Sequence, residues 1–599
     1  MTKKETIIVL FSITLCWSSS YIFIKDLSSA FSAYAYLTLT SGFAGIGLAL
    51  AFRHLIKKLD KKTILYGSVL ALLIAGNIIF EKLALDNLPA SAVSAIASMN
   101  IVIVPLIMIC RRRFPSRNNV AGIAIILLGL AVSGHLHMQG GELMGIIYVL
   151  LSCLMMSLYT VFAADYTKEA DPLLLTTLQL CVTAVIGLIL WVVTDPGSFK
   201  TINWSLETIS YIVIIAFFSK AYAYVMLMYS EKYCDAITVT VIAATDPVVT
   251  LILAILIPST LGNTELFSTR SLMGAIIIAI GAVVAGTNFL SARKNRAGVP
   301  EGASPDEVKN AEATTEGAAP TLVPASDDAI SEANNEETAA ATVSRSVNRL
   351  YLLHVFLALM IGFALLGMSI NVMEYADGFT EIRPENFIPV TAGILLGPVA
   401  ALACGIGNIL QDTPFNFGYT AVLGFFANFL AAYLPYKLWR TAEGNTLNTH
   451  SGKRLLTYIW AALLSSLATG VFLSYGLEIF FGSWYEMLGP GIFYNNFLFS
   501  LMFGLPSFIV LTSDGSHMGK LAATYHPRCG LKVLEGLLPY TLKLYALETI
   551  LLAVLIIGFN YDVHWKSGLP GRVLWLVTFA IMVLCCFIPT PSSEKDPKN

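Results

Sequence analysis

Two charges sit where charges are costly. Lys220 and Asp246 stand inside two apolar stretches, roughly Ser210–Ser230 and Ile237–Ile257, joined by the polar turn Glu231-Lys232-Tyr233-Cys234-Asp235. Lys220 lies thirteen residues before Tyr233 and Asp246 thirteen after it. As helices rising about 1.5 Å per residue, the stretches put both charges roughly 20 Å from the turn, at matched depth near a bilayer centre. A charge there costs at least about 2.5 kcal/mol, so it faces a bundle interior and takes a partner. The hairpin offers each charge the other. Pro247 follows Asp246; without an N–H it kinks a helix and frees a carbonyl beside the carboxylate. A broken helix beside a midplane charge pair serves as a solute site in many transporters. An intramembrane ion pair can also do no more than fix helix packing.

Other polar side chains share such apolar surroundings. Trp17, Asn77, Asn100, Tyr222 and Tyr224 can hydrogen-bond a solute, although singly such residues are more commonly interhelical contacts. Glu81 and Lys82 close the third apolar segment and read as interfacial, with a role in gating the mouth as the lesser reading. His135 and His137 fall in a loop with Met138, too few ligands for a metal. Nothing in the chain requires a cofactor, and no catalytic constellation appears, which argues against an enzyme.

The elements that must hold these residues are membrane helices. The 599-residue chain is 56% hydrophobic and 13% charged, with mean hydropathy +0.71, which is the composition of an all-α polytopic membrane protein. A net charge of −2 gives no nucleic-acid signature. The nine cysteines show no metal spacing and imply no disulfide framework. The N-terminal apolar run continues through Trp17 to Ile24 without a cleavage site and reads as a retained first helix.

Ten apolar segments lie between Thr6 and Leu290. Placing the N-terminus in the cytoplasm puts Arg53, Lys57, Lys61, Arg111, Arg112, Arg113, Arg117, Lys168 and Lys232 inside, and leaves few basic residues outside. Gly122–Gly129 aligns with Gly274–Gly281 at the same glycine spacing, and Pro105 aligns with Pro247. A repeat of five helices must be inverted, and inverted repeats place a substrate path at their interface.

Five plus five helices, the early Trp17-Ser-Ser-Ser, Lys25 closing the first helix, the mid-helix prolines and the glycine-paced last helix of each half resemble the EamA-type drug/metabolite transporter superfamily over residues 5–290. The resemblance implies a secondary carrier for a small polar or amphipathic metabolite. The chain departs from the family where Arg111-Arg112-Arg113 and the Thr260–Thr269 loop replace an acidic residue.

The expected domains are a carrier at 1–292, a disordered cytoplasmic linker at 293–347, a second membrane domain at 348–592 and a cytoplasmic tail at 593–599. Linker residues 297–347 are rich in Ala, Glu, Thr and Asn and bury too little surface to fold. The second domain is expected to carry about eight helices (six to eight). Its informative stretch runs from Ile382 to Asp412. Read as a hairpin hinged at Gly397-Pro398, rather than as one span, it returns the basic stretch Lys437–Arg454 to the cytoplasmic side.

Leu395-Leu396-Gly397-Pro398 followed by Gly405 to Asp412 resembles the substrate-binding S component of energy-coupling-factor (ECF) vitamin transporters, most clearly over 350–440. Candidate solute ligands there are Arg383, Asn408, Asp412 and Asn428, with Glu385 more easily read as a cap. No phosphate-loop fingerprint appears, so an ATPase would be a separate chain.

The preferred reading is an inner (cytoplasmic) membrane transporter, multi-pass with both termini cytoplasmic, that moves a small metabolite by alternating access and carries a second solute-binding domain. Its expected partners are a small-molecule solute, the lipid bilayer, separate energy-coupling subunits and a second copy as a homodimer, with no nucleic acid. The alternatives are an S component working with a separate ECF ATPase module, and a membrane solute sensor.

Overall fold

In the computed structural model, residues 1–27, 31–57, 59–113, 115, 117–133, 143–256, 269–286, 351–368, 374–375, 380–381, 383–416, 418–482, 488–513, 516–525, 527, 529–561 and 569–591 are described. The expected linker, the histidine pair at 135 and 137, and the loop at 260–268 lie outside them.

The molecule is an all-α membrane protein, with a strand pair of two residues each (Glu374–Tyr375 with Thr380–Glu381) as its one described sheet. The first bundle opens with α1 (Lys3–Asp26), started by a capping box in which Thr2 and Glu5 satisfy each other's backbone N–H groups. It continues with α2 (Ala33–Ala51), α3 (Lys61–Leu85), α4 (Ala90–Ala97), α5 (Asn100–Cys110), α6 (Arg117–Ser133), α7 (Leu143–Tyr166) and α8 (Pro172–Thr194). Next come α9 (Leu206–Ile214), a π-helical segment (Ile215–Tyr222) and α10 (Ala223–Tyr233), which together form one span. The bundle closes with α11 (Ala236–Ala243), α12 (Asp246–Leu256) and α13 (Thr269–Gly286).

The repeat is visible in the helix lengths. α4 and α11 have eight residues each, α5 and α12 have eleven, and a two-residue break separates each pair. Asn100 therefore matches Asp246, each being the first residue of its second half-helix. This corrects the alignment of Pro105 with Pro247: Pro105 lies inside α5, while Pro247 is the second residue of α12.

The glycine-paced helices meet each other. A Cβ on Gly129 would lie 2.9 Å from the carbonyl oxygen of Gly274, and one on Gly281 would lie 2.9 Å from that of Gly122. α6 and α13 thus cross antiparallel, backbone against backbone, through reciprocal contacts. Small residues permit this approach where lipid supplies no hydrophobic drive between helices. Repeat-equivalent α2 and α8 pack together in the same way.

The second bundle comprises α14 (Tyr351–Met368), α15 (Phe387–Leu396), α16 (Pro398–Asn416), α17 (Tyr419–Glu443), α18 (Gly452–Phe481), α19 (Leu488–Phe499), a π segment (Ser500–Gly504), α20 (Leu505–Leu511), α21 (His517–Thr524), α22 (Thr541–Tyr561) and α23 (Leu569–Phe587). Gly397 interrupts the chain at φ +55°. Gly393 lies against Ala432 and Gly397 against Tyr436, while Gly405 lies against Phe425 and Gly424 against Asn408. α15 therefore runs with α17 and α16 runs against it, so the stretch is a hairpin and not one crossing. The Thr449 hydroxyl, just beyond α17, donates to Glu5 Oε1 at 2.5 Å, which puts that loop at the same end of the molecule as the N-terminus.

The basic stretch Lys437–Arg454 is less exposed than a loop reading expects. Lys437 and Arg440 are buried on α17. Lys437 donates to the carbonyl of Cys529 at 2.9 Å and to that of Ile588. Arg440 donates to Asn445 Oδ1 at 2.9 Å. Two of the charges counted toward orientation are thus consumed inside the fold.

Candidate functional site: a polar cavity at two broken helices

A cavity of about 70 Å³ lies inside the first bundle. Both helix breaks open onto it: Ala97, Ser98 and Asn100 from one repeat, and Ala243, Ala244 and Asp246 from the other. Pro247 leaves the carbonyl of Ala243 without its helical donor at this wall. The Ser18 hydroxyl donates to the Asp246 carbonyl at 3.2 Å, and Thr250 hydrogen-bonds Ser94 at 3.1 Å, tying the two broken helices together.

Lys220 enters from the π segment, an i→i+5 irregularity found frequently at functional sites. Trp17 donates its indole N–H to the Ser219 carbonyl at 3.3 Å and meets Tyr224 edge-on at 5.9 Å. Asn100 accepts from the Ser157 hydroxyl at 3.0 Å. Asn77, from α3, donates to Ser152 at 2.8 Å. The wall therefore combines aromatic faces, amides and three charged groups.

The charges are arranged differently from the sequence expectation. Among the described residues no ion pair joins Lys220 to Asp246. The ammonium lies 5.5 Å from the Tyr36 ring centroid, and Glu81 lines the same cavity. One carboxylate oxygen of Asp246 is buried with no hydrogen-bond partner. Glu81 is the residue that sequence reasoning undervalued. α3 runs on to Leu85, so Glu81 lies one turn inside the helix end and faces the cavity rather than the interface. Lys82 points elsewhere and pairs with Asp86. The available signal was Asn77, about one α-helical turn earlier at i−4 and on the same face.

Tyr222 does not line the cavity. Its single hydroxyl proton is shared between Ser12 Oγ at 3.0 Å and the Phe503 carbonyl of the second bundle at 3.3 Å.

The candidates of the second bundle do come together. Asn428 donates to Asn408 Oδ1 at 2.9 Å, and Asn408 donates to Asp412 Oδ2 at 2.9 Å. Arg383 supplies the positive charge felt by Asp412. Asn428, Asn408 and Asp412 satisfy much of one another's polarity, while Arg383 Nε is buried with no hydrogen-bond partner. Lys543 and Glu548 find separate surroundings: Lys543 sits 5.9 Å from the Tyr540 ring, while Glu548 is buried beside Cys585.

Residues 4–134 and 143–287 each match the EamA-like transporter family. The N-terminal half is EamA-like. The two matched segments coincide with the two five-helix repeats, so the EamA-like half carries the cavity at their junction. No curated protein matches this chain. A solved chain described as "Crystal structure of protein" is 16% identical over 49% of this chain and 99% of its own, with a TM-score of 0.39; at that score the likeness carries no argument.

Proposed function

We propose that the EamA-like half is a secondary carrier that binds a small polar metabolite at Trp17, Asn100, Lys220, Asp246 and Glu81, and exposes it alternately to the two sides of the cytoplasmic membrane. The observation that carries this reading is the convergence of both helix breaks on one cavity holding two carboxylates and one ammonium. Carboxylates outnumbering the ammonium favour a solute that brings a positive charge of its own. Unwound backbone beside such groups leaves carbonyls and half-helix ends to complement the rest of the solute. In this reading both termini face the cytoplasm.

The test is uptake and counterflow of labelled amines, amino acids and organic acids by the full chain in proteoliposomes. Transport of at least one solute is expected, with loss on Glu81→Gln or Asp246→Asn in variants that remain folded. Transport unaffected by both substitutions would move the site elsewhere.

The Arg383–Asp412–Asn408–Asn428 cluster favours a second reading for the other bundle, a solute-binding role like that of an S component. Equilibrium binding of the solutes transported above, before and after Asn408→Leu, tests it. Co-purification of nucleotide-binding subunits would support the energy-coupling version.

A further inference from the structure

The two bundles share one continuous apolar core, and they meet at the segment that carries Lys220. The π segment Ile215–Tyr222 faces a second π segment, Ser500–Gly504, across the seam. Phe218 and Tyr222 on one side pack against Phe387 and Phe503 on the other, with ring centroids 5.1 to 6.4 Å apart. The Tyr222 hydroxyl donates across the seam to the Phe503 carbonyl. A π-helical register is not the backbone's default and persists where tertiary contacts hold it. Within the first bundle this one is held by α2, whose Tyr36 ring lies beside Lys220, and by Trp17 on Ser219 and Ser12 on Tyr222; from across the seam the second bundle adds its contacts to Tyr222 and Phe218. Lys220 lies two residues from Tyr222 within the same segment.

We propose that the second membrane domain positions Lys220 in the carrier cavity through the hydrogen bond and ring contacts of Tyr222 with Phe503. The inference rests on the carrier reading and deepens it: Tyr222 is a positioning residue, and the second bundle is a fixed partner of one wall of the cavity. Among the described residues no hydrogen bond or ring contact joins the repeat-related wall, α3 and α7, to the second bundle: their partners all lie in the first. The clamp therefore breaks the symmetry of the two repeats and leaves α3 and α7 as the side free to move.

The native thiol of Cys153 lines the same cavity and reports on it. Aminoethyl methanethiosulfonate (cationic) and sulfonatoethyl methanethiosulfonate (anionic) are applied to the full chain in proteoliposomes. Each leaves a mixed disulfide on the thiol and releases methanesulfinate. The ratio of the two rates at the Cys153 peptide, read by mass spectrometry, measures the local charge. Lys220→Met sets the scale, raising the cation-to-anion ratio on the order of tenfold.

Tyr222→Phe, which keeps the ring and loses the hydroxyl, is expected to raise the ratio severalfold in the same direction. His354→Ala cuts a different contact between the bundles, to the carbonyls of Leu50 and Ala51, and is expected to leave the ratio unchanged. Ser12→Ala keeps the bond to Phe503 and is expected to have little effect. A folded Tyr222→Phe protein with the wild-type ratio overturns the proposal while leaving the carrier reading intact. Ser12→Ala matching Tyr222→Phe overturns it too, because the contact within the EamA-like half would then suffice. Cys153 is buried and its thiol donates to the Ile96 and Ala97 carbonyls, so where it is inert to both reagents the same ratio is read at Ala97→Cys, a partly exposed position on the same cavity, with the same outcomes deciding.

Discussion

Replacing Gly129 with Leu tests the reciprocal crossing of α6 and α13. A Cβ at this position would lie 2.8 Å from Ile278 Cγ1 and 2.9 Å from both the Gly274 carbonyl oxygen and the Ile278 backbone nitrogen. Backbone atoms cannot rotate away as a side chain can. Carbon contacts relax at about 3.5 Å or more, so the helices must part by roughly 0.5 Å for the Cβ alone and further for the rest of Leu. Overpacking of this kind costs about 1–3 kcal/mol. Leu also gains about 1 kcal/mol of helix propensity over Gly, which partly masks the loss. Gly47→Leu in α2 supplies the reference, since nothing lies within 4 Å of its added Cβ. Subtracting the two cancels the propensity gain and isolates packing. Gly129→Leu should melt below Gly47→Leu by the equivalent of about 1–3 kcal/mol, and Gly281→Leu should match it because its contacts mirror those of Gly129. The assay is thermal unfolding of purified protein in mild detergent, followed by intrinsic tryptophan fluorescence. Equal melting of Gly129→Leu and Gly47→Leu would refute the close crossing. A large effect at Gly129 with none at Gly281 would refute the reciprocity.

A double-mutant cycle on stability should give Lys220→Met and Glu81→Gln a coupling above about 1 kcal/mol, and Lys220→Met with Asp246→Asn a smaller one; the reverse order would restore the pairing expected from matched depth. Protease cutting within 297–347 should leave two fragments that still co-elute in mild detergent, held by the Tyr222–Phe503, Thr449–Glu5 and His354–Ala51 contacts, and fragments that separate on size exclusion would contradict that seam. Gly397→Ala should destabilise the hairpin by about 1–3 kcal/mol, because φ +55° with ψ −124° is strained for any side chain and the new Cβ would sit 2.9 Å from the Tyr436 ring; an unchanged melting curve would show that the hinge adopts another backbone conformation.

Much of the EamA-like half was legible in the chain itself. Apolar runs of membrane length dictate helices, because a backbone in lipid must satisfy its own hydrogen bonds. Glycines at matching spacing in 122–129 and 274–281 marked the repeat and the face on which α6 and α13 meet. Gly397-Pro398 marked the hinge, since that dipeptide removes an N–H and permits a backbone angle that other residues resist. Depth along a helix is additive along the chain, so Lys220 and Asp246 could be placed at matched depth inside the bundle, where both line the cavity. Direction around a helix axis is not additive in the same way. The π segment rotates Lys220 relative to a regular helix, and Tyr36 and Glu81 come from spans that the chain does not place beside it. For the same reason Tyr222, two residues away, belongs to the seam and not to the cavity. The seam lay beyond any periodicity: the linker's composition says only that it does not fold, and Phe387 and Phe503 find Phe218 and Tyr222 only once both bundles have folded. Spacing along the chain determined what could cross the membrane and where it would break; rotation about each axis and the docking of one bundle on the other determined which charges meet.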